Sequence, residues 1–112
     1  MPRMMSFSLT TEQVRRREKT VTRRVGWAFL KPGDILQAVE KAQGLKKGEK
    51  VKRICLIRVV SRRKEPLNKI TAADCILEGF PEMSPREFVN MFCAANKCKP
   101  HKGVNRIEFE YI

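Results

Sequence analysis

Histidine is almost absent from this 112-residue chain: there is one, along with one tryptophan and one tyrosine. A single imidazole leaves few parts for a histidine-centred relay or a multi-histidine metal site. No paired-carboxylate signature is visible either, so metal-dependent cleavage is not expected. No apolar run approaches the ~20 residues that span a bilayer, and no signal-peptide core opens the sequence. A cytoplasmic protein without membrane attachment is therefore expected. The four cysteines, at positions 55, 75, 93 and 98, are not spaced as a disulfide framework. Cys93, Cys98 and His101 offer three metal ligands but no compact fourth, so neither a metal nor a cofactor is expected. Acidic residues are scarce: twelve Asp and Glu stand against twenty-four Lys and Arg, for a net charge of +12. That imbalance favours a polyanionic partner, RNA or DNA.

What is present describes one folded domain. With 42% apolar and 32% charged residues, the chain has the material for one core. Residues 1–6 show no pattern and read as a flexible N-terminus, leaving 7–112 as a single domain. Phe7 and Leu9 open a short strand, and Thr10 or Thr11 caps a helix running to about Lys19. The β-branched segment 20–25 reads as a strand, with Thr20, Thr22 and Arg24 on one side and Val21, Arg23 and Val25 on the other. Lys31-Pro32-Gly33-Asp34 forms a tight turn, followed by a strand over 35–39 and a lysine- and glycine-rich connection over 44–50. Residues 51–61 make the longest strand, apolar on both faces at its centre and so flanked on both sides; Arg62, Arg63 and Lys64 then surface. Thr71 with Asp74 resembles a capping box for a short helix to Leu77. Ser84-Pro85-Arg86-Glu87 opens a second helix, to about Lys97, that buries Phe88, Met91, Phe92 and Ala95. A last strand turns Ile107, Phe109 and Tyr111 inward and Arg106, Glu108 and Glu110 outward. This α+β order predicts a small curled sheet or barrel with flanking helices.

The basic residues fall into clusters: Arg15, Arg16 and Arg17; Arg23 and Arg24; Lys46, Lys47 and Lys50; Arg62, Arg63 and Lys64. These, with Thr20, are the candidate nucleic-acid contacts. Trp27 either stacks on a base or caps the end of the barrel. Residues 18–27 concentrate the polar chemistry. A threonine hydroxyl becomes a nucleophile only with a base in reach. Lys19 lies three residues before Thr22 and can be that base if burial or a cationic neighbour lowers its pKa. The plainer reading has Lys19 ending a helix against its dipole and Thr20 and Thr22 as ordinary strand residues.

The chain resembles an ASCH domain of the PUA-like superfamily. Four segments carry the likeness in order: Glu18-Lys19-Thr20-Val21-Thr22-Arg23-Arg24; Lys31-Pro32-Gly33-Asp34; Pro66-Leu67 with Ile70-Thr71 and Asp74; and Glu78-Gly79-Phe80 followed by Glu87-Phe88. The resemblance implies a small PUA-like β-barrel with flanking helices and a cleft beside the first helix that holds RNA or a modified nucleobase. Bacterial relatives of this kind hydrolyse the acetyl amide of N4-acetylcytidine with a lysine, a threonine and a glutamate. By motif these fall on Lys19, Thr22 and Glu78, with Arg24 as a substrate or anion contact. The expected function is nucleic-acid binding, RNA favoured by analogy, in a basic cleft. The alternative is an amidohydrolase acting on N4-acetylcytidine-like nucleosides.

Overall fold

A computed structural model describes residues 2–42 and 44–112. Five strands, β1 (Arg3–Ser6), β2 (Val21–Arg24), β3 (Ile35–Val39), β4 (Arg53–Pro66) and β5 (Gly103–Tyr111), form one sheet in the order β1-β3-β4-β5-β2. Among the described residues β1 and β3 run parallel, and the other pairs are antiparallel. Three helices, α1 (Thr11–Arg15), α2 (Ala72–Leu77) and α3 (Pro85–Asn96), flank this half-barrel. The α+β expectation holds. Among the described residues no helix is long and apolar enough to cross a membrane.

Strand β4 is the hub, because its 14 residues pair with β3 at one end and β5 along most of their length. A register shift between Val59 and Ser61 lets it bend, as one unpaired extra residue does in a bulge. The curled sheet buries Phe7, Val14, Leu36, Ile57, Ile107 and Phe109 in one core. A second core, Leu67, Ile70, Cys75, Phe88, Phe92 and Val104, lies where α2 and α3 pack beyond the far end of β4 and β5.

Several boundaries differ from the sequence expectation. Residues 3–6 are not a loose start but the edge strand β1, with Met5 fully buried. The extended strand therefore precedes Phe7. Strand β4 does not end near Ser61, since Arg62, Arg63 and Lys64 remain paired to Ile107, Arg106 and Asn105. Helix α1 stops at Arg15, not Lys19. Arg17 adopts φ 58°, and the Glu18 N–H donates to Gln13 while the Arg17 N–H donates to Val14, a Schellman closure with arginine in the usual glycine position. Helix α3 starts as expected: the Ser84 hydroxyl accepts from the Glu87 N–H, and the Glu87 carboxylate accepts from the Ser84 N–H.

Helix α2 closes in the same way as α1. Gly79, at φ 97°, donates to the Ile76 carbonyl, and Phe80 donates to that of Cys75. A Cβ on Gly79 would lie 2.9 Å from Gln13 Cγ, and the Gln13 amide donates to the Gly79 carbonyl at 3.2 Å. The two helix ends thus touch backbone to side chain, and glycine is the residue that permits it. Gly79→Ala must both occupy a left-handed conformation and displace Gln13. It is expected to cost about 1–2 kcal/mol, seen as a lower urea midpoint at unchanged m; an unchanged midpoint would show that the Gln13 contact relaxes freely.

Candidate functional site

The contact between the ends of α1 and α2 brings together residues 59 positions apart. Lys19 follows the α1 closure, and Glu78 caps the C-terminus of α2. The Lys19 ammonium lies 2.7 Å from Glu78 Oε1 and donates to the Glu78 carbonyl at 2.7 Å. Both side chains are 3% exposed. The Thr20 N–H donates to the Leu77 carbonyl, and the Tyr111 hydroxyl donates to the Lys19 carbonyl, so the main chain on each side of the lysine is fixed. Burial lowers the Lys19 pKa and the Arg24 and Arg23 charges push the same way, against the attraction of Glu78.

The other oxygen of Glu78, Oε2, accepts from Arg23 Nη1 at 3.0 Å. Arg23 is buried, and its Nη2 also meets Glu65 at 3.1 Å and Asp74 at 2.5 Å. The register explains this concentration. Arg23 on β2 lies opposite Arg106 on β5, which in turn lies opposite Arg63 on β4. Like charges opposed across strands repel, and carboxylates occupy the gaps. Asp74 Oδ2 accepts from Arg106 Nε at 2.7 Å as well as from Arg23, and Glu65 joins Arg23 to Arg63. Asp74 is consequently held down at about 2, chiefly by Arg106 and then by Arg23, against its partial burial. Its side chain does not complete the expected capping box. Thr71 accepts from the Asp74 N–H, but the carboxylate turns to the arginines.

On the neighbouring wall Arg24 donates from Nε to the Thr22 hydroxyl at 3.1 Å and from Nη2 to the Ser6 carbonyl at 2.6 Å, with its guanidinium 4.9 Å from the centre of the Phe7 ring. Among the described residues no carboxylate pairs with Arg24, and burial lowers its pKa to about 10, against Glu78. Lys19, Thr22, Arg23, Arg24 and Glu78 line a cavity of about 270 Å³ at the seam between the two cores. Phe7 contributes from one core and Phe80, Phe88 and Phe92 from the other, where helix α3 forms the far wall. The buried Arg23 Nε is a side-chain nitrogen without a hydrogen-bond partner among the described residues.

The predicted site residues do not all converge. Lys19, Thr22, Glu78 and Arg24 come together in the cavity. Arg23 and Arg62 do not serve as exposed phosphate contacts: Arg23 is the carboxylate clamp, and Arg62 donates to Leu30 and to the Asn105 side chain. Arg15, Arg16, Arg63, Lys46 and Lys47 are exposed and lie outside the cavity lining. Of these, Arg15 pairs with Glu12 and Glu40, Arg16 with Glu18, and Arg63 with Glu65. Arg17 packs over the Tyr111 ring, and Thr20 is half-buried with its N–H turned to α2. Trp27, half-buried at φ 70°, lies outside the cavity beside Phe29. Arg106 and Asp74 are the contributors that the sequence pattern placed elsewhere. Strand alternation turned Arg106 outward, and the available signal was its position opposite another arginine.

The chain matches no family model and no curated protein. Solved structures share its architecture. Protein EF3133 from Enterococcus faecalis V583 aligns over 100% of this chain and 77% of its own, with TM-score 0.68 and 17% identity. The hypothetical protein PH0355 aligns over the whole of both chains, with TM-score 0.67 and 21% identity. An ASCH domain from Lactobacillus crispatus JV V101 aligns over 97% of this chain and 79% of its own, with TM-score 0.62 and 15% identity. The chain has an ASCH-like fold. At these identities the likeness is one of fold, and what the cavity can do rests on its own residues.

A test of the clamp follows from the Asp74 shift. Its folded pKa lies below the unfolded value of 3.8, so the stabilisation is present at neutral pH and lost as pH falls from 4 towards 2. Loss of about 2 kcal/mol is expected over that window. In urea titrations, Asp74→Asn should be less stable at pH 7 and should flatten this acid dependence; a parallel pH profile in the variant would remove Asp74 from the clamp.

Proposed function

We propose that this ASCH-like domain recognises single-stranded nucleic acid, RNA foremost, by taking one base into the cavity beside Arg24. The observation that carries this reading is the charge arrangement. Lys19, Arg23 and Arg106 each meet carboxylates, while Arg24, on the same wall, meets only neutral oxygens. A half-buried guanidinium with no carboxylate partner among the described residues favours an anionic ligand group, and its fork suits a phosphate. The phenylalanine rings opposite suit a planar heterocycle, whose polar edge can meet Thr22 and the Lys19–Glu78 pair. At about 270 Å³ the space is small for a drug-sized ligand and apt for a nucleobase. The net charge of +12 supplies long-range attraction.

Fluorescence anisotropy with a labelled single-stranded RNA should show binding whose log affinity falls with log salt, by roughly 0.7 for each phosphate contacted. Arg24→Ala should weaken it about 10- to 100-fold, the range for losing a hydrogen bond to a charged group. Absence of binding at low salt, or a variant equal to the parent, would overturn this reading.

A second reading, amide hydrolysis on an acylated cytidine, is favoured by Lys19 and Thr22. The lysine pKa is lowered by burial, and Arg24 Nε draws charge from the threonine oxygen. In that reaction Thr22 Oγ1 adds to the acetyl carbonyl, its proton passes through Lys19 to the departing N4 amine, and water then cleaves the acyl-threonine. Lys19 must first turn from Glu78, to which both its observed hydrogen bonds go. The reading predicts release of cytidine from N4-acetylcytidine, reduced at least 100-fold in Lys19→Ala and Thr22→Ala. Chromatography of an overnight incubation decides it: an intact nucleoside leaves recognition alone.

A further inference from the structure

Asn96, at the end of α3, lines the cavity and also two shallower grooves that leave it. The first groove shares Arg24 with the cavity and runs past Arg3, Trp27 and Phe29. The second shares Val25 with the first and runs past Lys97, Lys99, His101 and Lys102. None of the four cations in these grooves other than Arg24, namely Arg3, Lys97, Lys99 and Lys102, has a salt-bridge partner among the described residues.

The first groove is built, not incidental. Phe29 is 55% exposed, its ring 5.6 Å from that of Trp27 and covered on one side by the Arg3 guanidinium at 4.9 Å. Trp27 holds φ 70°, a conformation a bulky residue adopts only when its surroundings impose it. The surroundings are identifiable. The buried Asn105 amide donates to the Gly26 carbonyl at 2.8 Å and to that of Val25 at 3.4 Å, while Arg62 ties Asn105 to Leu30 on the other side of the loop. Strain held by a polar network, next to a half-buried Trp27 that carries the exposed Phe29 ring, describes a preorganised stacking platform.

We infer that these grooves carry the strand on either side of the inserted base: the next base stacks on the Trp27–Phe29 platform, and the backbone on the opposite side crosses Lys99 and Lys102. This rests on the reading of the cavity given above. It goes beyond that reading in making the domain a reader of at least three consecutive nucleotides.

The test compares nucleoside 5′-monophosphates with a five-nucleotide RNA of the best-bound base, by calorimetry on the full chain. Phe29→Ala and the double variant Lys99→Glu/Lys102→Glu alter exposed side chains that leave the cores intact. The pentamer should bind at least tenfold tighter than the monophosphate. Phe29→Ala should lose roughly tenfold on the pentamer, in line with loss of one base–aromatic stack. The double variant should lower the salt slope by about 1.4, for two phosphates at roughly 0.7 each. Neither variant should change monophosphate affinity. A pentamer bound no tighter than the monophosphate, variants that bind it like the parent, or poly-glutamate competing as well as RNA would overturn the inference while leaving the cavity reading intact. Binding of neither ligand would instead overturn the cavity reading, and this inference with it.

Discussion

The fixed point of this molecule is the buried Arg23 guanidinium, which gathers Glu65, Asp74 and Glu78 from β4, the middle of α2 and the end of α2. Isolated charges are costly to bury, and a buried pair broken on one side typically costs 3–5 kcal/mol. Burial alone would lower the pKa of Arg23, but Asp74 and Glu78 reverse that and raise it. Buried pairs are seldom more stable than apolar residues of the same volume. Positioning gives a better account of this one. Glu78 has one oxygen on Arg23 and the other on Lys19, so neither its rotamer nor the lysine is free. A carboxylate held at both ends orients the amine beside the cavity, as supporting hydrogen-bond partners orient functional groups elsewhere.

That clamp depends on the fold at two places. The sheet register sets Arg23, Arg106 and Arg63 in a row across three adjacent strands, which alone would be repulsive and which only the intervening carboxylates make tolerable. The helix closures at Arg17 and Gly79 bring Gln13 against Gly79, and with it Lys19 against Glu78. The polar cluster therefore occupies the seam between the two apolar cores. There it is dry enough for strong electrostatics and still opens into a cavity.

Much of this seam was legible in the sequence. The resemblance to ASCH domains pointed to Lys19, Thr22, Arg24 and Glu78, all of which line the cavity, and the Ser84–Glu87 box located α3. The arginines were harder to place. Arg, Asp and Glu are almost never fully buried unless paired, so a charge-based reading sends Arg23, Arg62 and Arg106 to the surface. Their partners lie 42, 51 and 55 residues from Arg23, and 32 residues from Arg62 and Arg106, at separations that only strand register reveals. The early end of α1 had no glycine to announce it, because Arg17 itself takes the left-handed position. Strand β1 was too short for alternation to show, and its parallel pairing with β3 is non-local. Local rules read local structure well, and failed where a charge was satisfied across the sheet.

On the proposed function, the charge of a ligand in the cavity would bear directly on Lys19. Lys19 is poised by opposing effects: burial and the neighbouring arginines favour the neutral amine, while Glu78 favours the ammonium. A neutral ligand that expels water deepens the desolvation and leaves the Arg24 charge unmatched, so it moves the lysine further towards the base form. A phosphate at Arg24 does the opposite. Its negative charge offsets the arginine and stabilises the ammonium, keeping Lys19 locked on Glu78 as a hydrogen-bond donor. On the proposed function, a free nucleoside and a phosphodiester strand would thus push the same lysine in opposite directions.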